Sequence, residues 1–251
     1  MEYTALVTGA DHGVGLALVE RLLNQGCRVF AGRYQADESA LDQLRLRFED
    51  RLTLVDLDIG SDESVKKAAA AVSELSDSID ILINNAGILG DIEATVLDEL
   101  DFGEMLKVFN VNALGALRVT QAAVPLLLNG VPKMIVNISS EAGSIGQNHR
   151  SSWFAYCMSK AALNMQSSLV YNGLKEAGGR VLIIHPGWVR TFMRGEVDAA
   201  AELTPAQSAE RIIGLILDRI GRSTEIKSEG DTNSLNGGLE YIDVYGEAMP
   251  W

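Results

Sequence analysis

A chain of 251 residues, 47% hydrophobic and with only 5 prolines, has the makings of one compact α/β domain spanning 1–251, with enough apolar side chains to bury a sizeable core. Its 34 acidic against 21 basic residues give a net charge of −13, which repels nucleic acid and anionic membrane over most of the surface and leaves only a local phosphate site. Cys27 and Cys157 have neither a metal-ligand spacing nor a disulfide framework, residues 1–8 read as a strand without a basic leader, and no run approaches the roughly 20 apolar residues of a membrane span. A soluble, cytoplasmic protein without a metal is expected.

Tyr3 to Thr8 reads as the first strand, followed by a glycine-rich turn and a helical pattern in which Val14, Leu18 and Leu22, then Val19 and Leu23, recur at helical spacing before Gly26 stops it. Further strands are predicted at Arg28 to Ala31, Leu52 to Leu57, Ile79 to Asn84, Met134 to Ser139, Val181 to His185 and Leu239 to Val244. Long helices are predicted over Leu106 to Leu128 and Tyr156 to Glu176, and surface loops over Glu141 to Ser152 and Arg222 to Gly238, the second flexible. Strands that alternate with helices pair through right-handed crossovers, so the expected fold is a doubly wound, mostly parallel sheet of about seven strands with helices on both faces, Rossmann-like.

Thr8-Gly9-Ala10-Asp11-His12-Gly13-Val14-Gly15 lies where a strand hands over to a helix, the position at which backbone amides can meet a pyrophosphate. Three glycines by themselves also fit a plain tight turn. The second strand ends in Arg33 rather than an acidic residue, which favours the 2′-phosphate of NADP(H) over NAD(H), with His12 as a weaker contact. NAD(H) stays possible, because Arg33 beside Asp37 and Glu38 also reads as a solvated loop charge. Tyr156 and Lys160 stand one helical turn apart, so an ammonium can favour the phenolate and ready the phenol for proton transfer. Such pairs are also common on solvated helices. Upstream, Ser139-Ser140 puts a hydroxyl at the carboxyl edge of the sheet, either to hold a carbonyl oxygen or to cap a strand end.

Taken together, these residues resemble the short-chain dehydrogenase/reductase family over essentially the whole chain. Thr8 to Gly15 is similar to its glycine-rich turn, Asn84-Asn85-Ala86-Gly87 to the element that steadies the central sheet, and Asp58 to the aspartate near the adenine. Asn112, Ser140, Tyr156 and Lys160 match its catalytic tetrad, and Pro186-Gly187-Trp188-Val189-Arg190-Thr191 its nicotinamide-contacting segment. The resemblance implies a cofactor site made of Gly9, His12, Gly13, Val14, Gly15, Arg33, Asp58, Asn85, Ala86, Gly87, Tyr156, Lys160, Pro186, Gly187, Val189 and Thr191. It also implies a homodimer or homotetramer formed through the two long helices. His185 to Thr191 and Met249-Pro250-Trp251 are similar to the branch that holds sniffer-type carbonyl reductases and the bacterial C-factor. Two departures stand out. Sixteen positions separate Ser140 from Tyr156, more than is usual, so a short insertion loops out among Gly143 to Trp153, with Ser139 a rival for the catalytic serine, and Phe192-Met193-Arg194-Gly195 lacks a second glycine expected after the Pro-Gly segment.

The implied activity is hydride transfer between a nicotinamide and a carbonyl or alcohol substrate. Tyr156 carries the proton, Ser140 orients the oxygen, Lys160 lowers the phenol pKa and binds ribose, and Asn112 holds a relay water. A substrate lid is expected over about 188–204, where Phe192 and Met193 mix with Arg194, Glu196 and Asp198. The alternative in another class is a cofactor-binding sensor or signalling protein of the same fold without turnover.

Overall fold

The computed structural model describes residues 2–34, 39–193, 195, 197–229 and 238–251. Asp37, Glu38, Arg194, Glu196 and the 230–237 part of the expected flexible loop lie outside the described residues.

Each predicted strand forms: β1 (Thr4–Thr8), β2 (Arg28–Arg33), β3 (Leu52–Asp56), β4 (Ile81–Asn84), β5 (Met134–Ile138), β6 (Arg180–His185) and β7 (Leu239–Asp243). Between them run α1 (Gly13–Asn24), α2 (Ser39–Arg47), α3 (Asp62–Leu75), α4 (Phe102–Phe109), α5 (Ala116–Asn129), α6 (Phe154–Leu174) and α7 (Pro205–Glu229). All neighbouring strands pair in parallel, in the order β3-β2-β1-β4-β5-β6-β7. Strands covered on both faces are mostly apolar, and β4 and β5 are buried throughout, with Asn84 and Asn137 their polar members. The order turns about between β1 and β4, which opens a crevice at the carboxyl edge, where ligands bind in sheets of this kind. Register pairs Thr8 with Gly32, Arg33 with Asp56, Asn84 with Asn137 and His185 with Asp243, so these residues share that edge.

Two apolar layers clamp the sheet. On one side Leu18 and Leu22 of α1, Leu41 of α2 and Ile212 and Ile216 of α7 pack against it; on the other, Val65 and Val72 of α3, Val119 and Leu127 of α5 and Val170 of α6. A buried polar ladder fixes β4 and β5 to the second layer: the Asn84 amide donates to Thr120 Oγ1 (3.0 Å) and Asn137 Oδ1 (2.8 Å), and the Asn137 amide donates to Ser167 Oγ (2.7 Å).

Three expectations need correction. The helix expected over Leu106 to Leu128 is α4 and α5 joined by a widened π turn, Asn110–Gly115. An extra residue in the turn swings Asn112 inward, where its Oδ1 accepts from Ile88 N (2.8 Å) and its Nδ2 donates to Ile88 O (2.8 Å) and Ser159 Oγ (3.0 Å). The loop expected from Arg222 is helical as far as Glu229, and an Asp218–Arg222 ion pair (2.9 Å), one turn apart, spans Gly221. Finally, the run Phe102–Asn129 is long and apolar enough to cross a membrane by length and composition. In this fold it is a core helix: Val108, Ala113, Val119, Ala123 and Leu127 are buried and Thr120 meets Asn84.

Candidate active site

The glycine turn is pressed against the residues after β4. Thr8 Oγ1 accepts from Asn85 N (3.0 Å) and Ala86 N (3.1 Å), while Asn85 Nδ2 donates to Thr8 O and Gly9 O, each at 3.0 Å. A Cβ on Gly15 would stand 2.0 Å from Gly9 O, and one on Gly9 would stand 2.7 Å from Ala86 Cα, so both positions demand glycine. His12 precedes α1 in extended conformation and its side chain caps nothing; no acidic residue occupies the first turn, where Val14 sits. The leading amides of α1 are left facing the crevice, an anion-accepting end. A Cβ on Gly13 would lie 3.4 Å from Thr191 Cγ2, so the segment after β6 closes over the turn from the other side. Within that segment Pro186 O accepts from Ser208 Oγ (2.7 Å) and Gly187 has a positive φ of 79°. Val189 bridges to Leu203.

The end of β2 is more acidic than its sequence suggests. Arg33 donates through Nε to Asp56 Oδ1 at 2.7 Å, its cross-strand neighbour on β3. Beside it Asp11, 4% exposed, accepts the Tyr34 amide with both carboxylate oxygens, at 2.9 and 3.0 Å. Asp58 turns its own Oδ1 to Gly60 N (2.8 Å), and Gly60 O accepts from Asn110 Nδ2 (3.0 Å), which ties the β3–α3 turn to the π turn.

The tetrad residues converge at the far end of the crevice. Tyr156 and Lys160 lie on the first turns of α6, both buried, and the ammonium sits 5.6 Å from the Tyr156 ring centroid. Lys160 Nζ donates to Ile138 O (2.8 Å), anchoring it to the end of β5. A Cβ on Gly87 would come within 3.2 Å of Asn112 Oδ1 and 3.6 Å of Lys160 Nζ, so these three line one recess. The two serines part in direction: Ser139 Oγ donates to Asn164 Oδ1 (2.7 Å), inside the fold, whereas Ser140 Oγ donates to Glu141 Oε2 (2.9 Å). Burial pushes the phenol above its usual range, and the Ser140 hydrogen bond pulls the other way. Burial also depresses Lys160 to about 8. In the free protein desolvation therefore outweighs the pairing that the i, i+4 spacing suggests.

The family pattern for short chain dehydrogenases matches residues 3–202 of the chain. The chain belongs to the short-chain dehydrogenase family. C-signal from Myxococcus xanthus is 34% identical over 183 residues, covering 73% of this chain and 99% of that protein. Among solved structures, a putative short-chain dehydrogenase/reductase from Burkholderia multivorans with bound NADP superimposes with a TM-score of 0.83 at 29% identity, covering 100% of both chains. The NADPH-bound carbonyl reductase from chicken fatty liver gives 0.80 at 29% identity, again over 100% of both chains.

This short-chain dehydrogenase carries several groups near the site that motif spacing did not single out. Glu141, which follows Ser140 in a single 3₁₀ turn, pairs with Arg150, and Arg150 stacks over Trp153 at 5.0 Å. Adjacency to Ser140 was the one signal available for Glu141. Tyr241 of β7 donates to the Ser140 carbonyl oxygen at 2.6 Å and packs on Trp251, whose carbonyl accepts from Gly146 N (2.9 Å). Asp11 was masked by its glycine neighbours in the same motif.

Proposed function

We propose that this short-chain dehydrogenase is an NADP(H)-dependent oxidoreductase acting on a carbonyl or alcohol substrate, with Tyr156 as its general acid and base. The observation that carries the proposal is the gathering of Tyr156 and Lys160 about the Ser140 end of β5, where Lys160 reaches Ile138 O and Tyr156 packs with Ala142, in a fold whose glycine turn leads into an uncapped helix N-terminus. The residues fit a dinucleotide. Gly9, Gly13, Val14 and Gly15, with Asn85, Ala86 and Gly87, would hold the pyrophosphate end, Arg33, His12 and Asp58 the adenosine end, and Pro186, Gly187, Val189 and Thr191 the nicotinamide end. When bound, the reduced nicotinamide supplies the hydride.

The chain's own groups manage the oxygen. Ser140 donates a hydrogen bond to the substrate oxygen and fixes its direction, and Tyr156 gives its phenolic proton to that oxygen as charge develops there. Lys160 keeps two hydrogens beyond the one given to Ile138, enough for ribose hydroxyls and for favouring the phenolate afterwards. Asn112 spends both amide hydrogens on Ile88 and Ser159 and keeps a carbonyl lone pair, the acceptor a relay water needs. Exposed Trp188, Phe192 and Met193 give the 188–204 segment the apolar content of a lid.

Tyr156→Phe tests the assignment: cofactor affinity is expected to persist while turnover over a panel of ketones, aldehydes and quinones falls about 10²- to 10⁴-fold. An undiminished rate would remove Tyr156 from the chemistry. The NADP(H) preference rests on Arg33 and on NADP-bound relatives of similar structure. Arg33→Asp is expected to reverse the NADPH-to-NADH affinity ratio, and an unchanged ratio refutes the preference. Likeness to C-signal favours a second reading, a cofactor-binding signalling protein, which predicts NADPH binding with no consumption on any panel member. A homodimer or homotetramer has support in the apolar side chains that α4, α5 and α6 expose: Phe102, Leu106, Leu117, Met158, Met165 and Leu169. The two free cysteines suit a reducing, cytoplasmic setting.

A further inference from the structure

The polar contacts at the site do not end with Ser140. Its hydroxyl has one hydrogen, and in the free protein that hydrogen goes to Glu141: Ser140 Oγ donates to Glu141 Oε2 at 2.9 Å while accepting from Ala142 N at 3.1 Å. Glu141 is itself fixed on the far side, where Arg150 Nη2 donates to Oε1 at 2.5 Å. Arg150 lies over Trp153, and Trp153 meets Tyr156 edge-on with ring centroids 6.0 Å apart. The contacts therefore form a chain of five side chains, from Ser140 through Glu141, Arg150 and Trp153 to Tyr156.

A carboxylate near a phenol opposes loss of the phenol's proton, and Glu141 acts on Tyr156 in that sense. We propose that Glu141, locked in place by Arg150, is a positioning residue that aims the Ser140 hydroxyl and keeps the proton on Tyr156, extending to higher pH the range in which the site can donate a proton. The inference rests on the oxidoreductase reading above. Acceptance of a substrate oxygen requires Ser140 to turn its hydrogen away from Glu141. Arg150 then becomes essential, since it keeps the carboxylate paired during the exchange and spares it the penalty of a lone charge.

The other groups facing the phenol can be named. Lys160, on α6, favours the phenolate, as does Arg150; Cys157, also on α6, acts in the same sense as Glu141. From the sheet, His185 of β6 faces both Glu141 and Asp243 of β7, and Tyr241 of β7 grips the Ser140 carbonyl. Desolvation is the largest influence on Tyr156, and Glu141 adds to it.

The test reads Tyr156 directly, by NMR of ring-labelled tyrosine with the resonance assigned through its loss in Tyr156→Phe. Glu141→Gln keeps an acceptor for Ser140 and removes the charge, so its Tyr156 titration is expected at lower pH than in the wild type. The alkaline limb of NADPH-dependent carbonyl reduction is expected to move down with it. Arg150→Gln, which unpairs the carboxylate on a partly exposed loop, is expected to move both the opposite way, and it stands as the test should Glu141→Gln fail to fold. Titrations that coincide in wild type and both variants overturn the proposal. A wild type that reduces no carbonyl defeats the reductase reading instead, while the NMR titration still decides whether Glu141 governs the phenol.

Discussion

Replacing Lys160 by Met is expected to stabilise the cofactor-free protein at neutral pH while abolishing turnover. Lys160 is 3% exposed and gives one hydrogen bond, to Ile138 O, in exchange for a lost hydration shell. Burial alone brings its pKa from 10.5 down to about 8. Between those two values the unfolded chain holds a proton that the folded chain lacks. A base with a depressed folded pKa therefore stabilises least at low pH: wild-type stability carries the full penalty below about 8 and recovers as pH rises toward 10.5. The separation corresponds to about 3 kcal/mol. Met has nearly the same length, so the variant leaves little cavity, and any fixed packing difference drops out of the pH dependence. Urea unfolding of both chains through this range should show the variant's advantage greatest near neutrality and shrinking by about 3 kcal/mol at the alkaline end. Groups remote from Lys160, such as Cys27, titrate alike in both chains and cancel. A stability gap that does not change with pH would refute the reasoning, since it would mean that the ammonium is not desolvated.

Gly15→Ala would place a Cβ 2.0 Å from Gly9 O and 2.5 Å from Asn85 Nδ2, so a loss of about 1–3 kcal/mol and weakened dinucleotide binding are expected by thermal melting and fluorescence titration; full retention of both would contradict the packing of the turn. Gly173→Ala is its opposite: the position is on exposed helix surface with nothing within 4 Å, and a gain of about 0.5–1 kcal/mol should appear as a raised melting midpoint, whereas a lowered one would speak against a regular helix there. Asp11→Asn keeps an acceptor for the Tyr34 amide and removes a buried negative charge from the end of β2, so the affinity for NADPH should rise relative to NADH. An unaltered ratio would place that carboxylate outside the influence of the 2′ position.

The sheet was readable because parallel central strands are buried on both faces, and Ile81–Asn84 and Met134–Ile138 are apolar but for Asn84 and Asn137. The spacing of Tyr156 and Lys160 was readable because helical geometry alone puts them on one face. Contacts that depend on register were not. Arg33 meets Asp56 only because β2 and β3 align those two residues, and nothing local to either announces it. The π turn was hidden for a related reason: its extra residue is stabilised by Ile88 and Ser159, which lie far from Asn112 in the chain. Likewise, the Ser, Asn, Gly and charge content from Arg222 onward read as loop, yet α7 runs on to Glu229. The different partners of Ser139 and Ser140 were not legible either, since neighbouring residues at a strand end point in opposite directions.

The excursion between Trp188 and Leu203 leaves and rejoins the body of the protein at nearly the same place. Arg190 N donates to Leu203 O (2.9 Å) and Leu203 N to Trp188 O (3.0 Å), while inside the loop Trp188 Nε1 donates to Asp198 (2.7 Å). Because its ends are already fastened, lengthening or rewriting the stretch between them adds little closure entropy and disturbs no strand. Such a segment behaves as an exchangeable cartridge, free to change in length and sequence while the sheet and the glycine turn it leans on stay as they are.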